Sequence, residues 1–192
     1  MSNEKDLLSE RGRGLEAEYF RRRDQELLDR AREREADNER RQQLAAAFGV
    51  DDEIAEKLGR LGFDAGTVPL LDIVPVIQIA WADGSLPARE RAEIERILAR
   101  PEMKEAAKLG SRMVAAWLTQ QPSADLYRLA TEALRLRLAR LEIDARKRLV
   151  SRIIDDCNAV AGASGGVFGL GAHSSAESAR IRELAAALGV KS

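Results

Sequence analysis

The residues best placed for chemistry lie in Asp83-Gly84-Ser85-Leu86-Pro87-Ala88-Arg89-Glu90. Two carboxylates flank a glycine turn, and Ser85 and Pro87 suit the start of a helix. Folded onto one point, Asp83 and Glu90 would offer oxygen ligands to a divalent cation. Asp83, Gly84, Leu86 and Glu90 match positions 5, 6, 8 and 12 of an EF-hand loop. Positions 1 and 3 of that loop fall on Ile79 and Trp81, whose side chains carry no oxygen. An ion at this turn would need further carboxylates, from Asp72, Asp155 or Asp156. The competing expectation is structural: Asp83 holds the turn, and Glu90 sits at a helix N-terminus, where the helix dipole favours a negative charge.

Other reactive types are sparse. Cys157 is the single cysteine, set between Asp156 and Asn158 with Ile153 and Ile154 one turn earlier, and reads as an inert helical thiol. His173, the single histidine, has no companion ligand in the sequence and reads as a loop residue. The glycine-rich stretch from Gly162 to Gly171 lacks the Lys-Ser or Lys-Thr that ends a P-loop, so it reads as a connection. Between Arg128 and Arg152 the chain is locally basic, and the expected role is a solvated face, the alternative a patch for anionic lipid, nucleic acid or an acidic partner. No nucleophile–base pair, metal cage or cofactor fingerprint stands out, and the expectation is a protein without catalytic activity.

These residues need helices to position them. Charged residues make up 33% of the 192 and aromatics 4%, a bias towards Ala, Leu, Arg and Glu that favours an all-α chain. Asp51-Asp52 should cap a short helix closed at Gly62, and Gly49 should end the one before it. From Thr67 to Trp81 the chain is apolar almost all round, as expected of a central buried helix that Pro75 bends or begins. The next helix is expected from about Leu86 to Leu98, capped by Ser85. Pro101 should open one running through Trp117, and Pro122-Ser123 another. Ile143 to Ala161 and Ala176 to Leu188 complete the set.

Net charge is −1, which gives no global field to hold polyanions, and no binding to nucleic acid is expected. A single cysteine, the lack of a signal-peptide core and the lack of a long apolar run give the expectation of a cytoplasmic protein, at a membrane only peripherally if at all.

Residues from about 50 to 190 resemble the TerB-like, or tellurite resistance protein B-like, family. The likeness rests on the helix–Asp83-Gly84–helix turn with Glu90, and on the closing sequence Ile181-Arg182-Glu183-Leu184-Ala185-Ala186-Ala187-Leu188-Gly189-Val190. The resemblance implies a compact helical domain over 50–192, and through Asp83 and Glu90 a metal-responsive stress protein. In the second half the family's Asp-Gly is replaced by Ser164-Gly165, with Glu177 downstream, so one leading carboxylate is missing there.

Residues 1–47 form a distinct, extended charged helix in which acids stand three or four places from arginines. Gly12 and Gly14 are expected to fray its start. A helix this polar cannot be held by packing alone and is expected to project from the domain or to await a protein partner. Its stretch Arg11 to Leu28 resembles the inhibitory segment of the mitochondrial ATPase inhibitor family, through Arg11, Glu16, Tyr19, Phe20, Arg21, Arg23, Glu26 and Leu28. The resemblance implies that these residues enter the catalytic head of an F-type ATP synthase and stop ATP hydrolysis. From the residues themselves, Tyr19 and Phe20 are large aromatics on a charged helix, suited as anchors for a groove.

Overall fold

A computed structural model describes residues 2–163 and 175–189, with side chains at 18–163 and 178–189. The described residues are mostly helical, with no strand among them. The chain divides into two units, Met1–Arg40 and Arg41–Ser192.

The first unit consists of most of α1, Ser2–Phe48. The helix runs unbroken through Gly12 and Gly14. Every described side chain from 18 to 40 is exposed. Leu44 and Phe48, in its last turns, are buried and belong to the second unit, so the boundary falls before them and not at 47. Gly49, at φ +66°, ends the helix as its sequence position implied.

In the second unit α2, Asp52–Arg60, is capped by Asp51, whose carboxylate accepts from the Ile54 N–H at 2.9 Å. Phe63 follows and stacks edge-on against Phe48, ring centres 5.7 Å apart. The apolar run beyond it is not one helix. Asp64 and Thr67 form a reciprocal capping box over a 3-10 stretch, Ala65–Ile73, before α3 begins at Val74–Ala80. Pro75 explains the change: in a continuous α-helix its ring would meet the carbonyl of Leu71, so it serves in the first turn of α3 instead. Five of the seven α3 side chains are at most 1% exposed, making it the central helix that the composition implied. It packs against α4 (Ala88–Leu98), α7 (Ala124–Ala139), α8 (Ile143–Ala163) and α9 (Ser175–Ala187).

The helix expected to run from Pro101 through Trp117 is broken into α5, Pro101–Leu109, and α6, Ser111–Thr119. At the break, a Cβ on Gly110 would stand 2.5 Å from Leu70 Cδ1, so only glycine lets the 3-10 stretch approach this closely. Ser123 caps α7 by accepting from the Leu126 N–H at 3.2 Å. Among the described residues no single helix is long and apolar enough to cross a membrane.

Candidate functional site

At the end of α3 the chain turns over Asp83 and Gly84. Gly84 has φ +86° with open space around it, a conformation that a side chain would strain. The Asp83 carboxylate oxygen Oδ1 accepts from the Ser85 N–H at 2.9 Å and from the Ser85 hydroxyl at 3.0 Å. Such a local ring is the usual work of aspartate in a turn. Ser85 is thereby tied to Asp83 and does not cap the next helix. The helix starts at Ala88, after an extended Pro87 that makes no side-chain cap.

Glu90 lies in the first turn of α4 and is 1% exposed, whereas Asp83 is exposed. The two carboxylates thus occupy different settings, one in a solvated turn, the other inside near a helix N-terminus, where the dipole favours it. The further carboxylates that an ion would call on are committed elsewhere. Asp156 takes a bidentate pair from Arg100, at 2.9 and 2.6 Å. Asp72 accepts from Arg137 at 2.6 Å and faces Arg152 at 3.6 Å. Asp155 accepts from the Ser151 hydroxyl at 3.3 Å. Among the described residues no three His, Cys, Asp or Glu side chains are grouped to hold a metal.

Trp81 anchors the turn to the bundle. Its indole N–H donates to the Trp117 carbonyl at 2.9 Å, and its own carbonyl accepts from Gln121 at 3.3 Å. Beside it a cleft of about 820 Å³ opens between α3, α7 and α9.

On α1, Tyr19 and Phe20 are 61% and 60% exposed and meet edge to face, ring centres 5.8 Å apart. Leu27 and Leu28 are each 54% exposed. Arg21, Arg23 and Glu26 are exposed beside them. Arg11 and Glu16 lie within the helix, their side chains outside the described set. At about 100° per residue, Tyr19, Phe20, Leu27 and Leu28 fall within half the helix circumference.

The basic stretch is more than a solvated face. Arg146 donates to the Leu138 carbonyl at 2.8 Å and lies 3.4 Å from those of Ala139 and Leu141, satisfying groups that the end of α7 leaves open. Arg152 bridges Asp72 and Glu102. The partners of Arg152 lie 50 or more residues back along the chain, which no local pattern announces. Cys157 is fully buried, and burial pushes its thiol well above the usual range, which keeps it protonated and unreactive. His173, Ser164, Gly165 and most of the glycine-rich stretch lie outside the described residues, as does the side chain of Glu177.

No protein-family model, curated protein or solved structure matches the chain. Fold and site together define an all-α protein with a helical bundle and a long, charged N-terminal helix.

Proposed function

We propose that this chain is a non-enzymatic protein-binding protein whose N-terminal helix seats Tyr19 and Phe20 in a groove of its partner. The observation that carries this is the exposure of four large apolar side chains on one half of a helix that is otherwise charged. Aromatics bury about 150–250 Å² each when docked, and leaving two together in water forgoes that gain. Arg21, Arg23 and Glu26 supply charges for the rim of such an interface, where they steer association and set register more than affinity. The register Glu16, Tyr19, Phe20, Arg21, Arg23, Glu26 and Leu28, which resembles the ATPase inhibitor segment, favours the catalytic head of an F-type ATPase as the partner. The buried single cysteine suits a reducing compartment, and the cytoplasm is the proposed location.

The test is ATP hydrolysis by a purified F-type ATPase head, titrated with the full chain. Inhibition is expected, with loss of about 2 kcal/mol or more on Tyr19→Ala/Phe20→Ala, which is about 30-fold or more in the concentration needed. No inhibition at micromolar chain removes the ATPase head as partner. Equal inhibition by the double variant removes the helix as the docking element.

A further inference from the structure

The cleft beside Trp81 lies entirely within the second unit and does not involve the α1 segment. Its longest wall is one face of α7. Ala124, Arg128, Thr131 and Arg135 recur at helical spacing along it, while Leu126, Ala130, Ala133 and Leu134 turn to the core. Tyr127 and Trp81 provide apolar walls, and Arg180 reaches the cleft from α9.

Two features set this cleft apart from an ordinary surface groove. The first is charge. Three arginines, Arg128, Arg135 and Arg180, stand against one lining carboxylate, Glu132. Among the described residues Arg128 and Arg180 pair only with exposed acids on their own helices, Asp125 at 3.4 Å and Glu183 at 3.1 Å. Such pairs contribute little and exchange readily for a better anion. Arg135 has no carboxylate partner among the described residues. The second is Tyr127, which is only 9% exposed and whose buried hydroxyl has no hydrogen-bond partner among the described residues. Buried hydroxyls are normally satisfied, and this one is closed off from solvent, so Tyr127 offers the cleft its ring and not its hydroxyl. A volume of about 820 Å³ falls in the range of small-molecule sites.

We propose that this cleft binds a small amphiphilic organic anion, its flat apolar part against Trp81 and Tyr127 and its anionic head held by Arg128, Arg135 and Arg180. Guanidinium groups suit this task because their fixed forks meet carboxylate, phosphate or sulfonate oxygens two at a time. The aromatic walls take a ring that a bare inorganic anion does not possess. Neither the turn carboxylates nor the N-terminal helix takes part.

The probe is 8-anilinonaphthalene-1-sulfonate, titrated into the full chain at physiological salt and followed by its own emission and by tryptophan quenching. Saturable one-to-one binding is expected, weakened tenfold or more by Arg135→Glu. That position is exposed, so the variant should keep the wild-type melting curve. Trp81→Phe should remove the quenching while Trp117 still emits. Inorganic phosphate should compete at least tenfold more weakly than the aromatic anion. Absence of saturable binding, or equal binding by Arg135→Glu, overturns the site. Phosphate competing as tightly as the probe overturns the amphiphilic class of ligand.

Discussion

Asp72 is 8% exposed where the 3-10 stretch faces α7 and α8, with Arg137 at 2.6 Å and Arg152 at 3.6 Å. Burial pushes its carboxyl above the usual aspartate value, and the two arginines pull it back by less. Folding therefore favours the protonated acid. The stability linked to it is fully present below the ordinary value of about 3.9 and is lost as pH rises through the elevated one. At neutral pH the charge adds little net, because the arginines' return is offset by desolvation. There Asp72→Asn is expected to cost no more than about 1 kcal/mol. The gap between wild type and variant should widen as urea unfolding is repeated down to about pH 4. A gap that narrows in acid would mean the arginines outweigh burial. In the sequence Asp72 stood only as a spare metal ligand. Its partner Arg137 lies 65 residues on, and nothing local connects them. Asp83, by contrast, could be read from its neighbours, since its ring to Ser85 spans two residues.

Helix ends followed the same division between local and distant causes. Asp51, Ser123, Gly49 and Gly62 sit where capping and positive φ require, and each could be read because the group it satisfies is within a few residues. The α5–α6 break was harder to read, because what packs against Gly110 is Leu70, fully buried on a different segment. Gly110 has φ −87°, an ordinary value, so backbone strain does not require glycine there. Exchange to alanine lowers the entropy of the unfolded chain, worth about 0.4–1 kcal/mol, against a packing cost of about 1–3 kcal/mol. The Cβ would lie 2.5 Å from Leu70 Cδ1 and 3.3 Å from both the Ala106 carbonyl and Thr67 Cγ2, so the packing cost wins. Gly110→Ala is expected to lower the melting temperature. Gly162→Ala, in α8 with nothing within 4 Å of the new Cβ, should raise it by up to about 1 kcal/mol of stability. A rise in both would mean that Leu70 has room to move and that the break owes nothing to this contact.

At the scale of the whole chain, α1 serves two units with opposite demands. Composition alone marked residues 1–47 as too polar to pack. The switch at Arg41 is hidden by the even helical pattern, since only Leu44 and Phe48 report it. Phe48 is fully buried against Phe63, and Leu44 is 2% exposed. Burying each is worth about 1.5–3 kcal/mol, a large share of the roughly 5–15 kcal/mol that holds an ordinary domain. Two truncations therefore separate the proposed binding from folding. A chain of residues 41–192 keeps both anchors and is expected to melt cooperatively close to the full-length temperature, while losing inhibition of the ATPase head. A chain of residues 49–192 loses both and should melt well below it, by several kcal/mol of unfolding free energy in urea. Loss of inhibition with a preserved melt assigns the binding to the Tyr19-Phe20 segment. A collapse of the melt already at residue 41 would instead make the charged helix part of what folds the bundle.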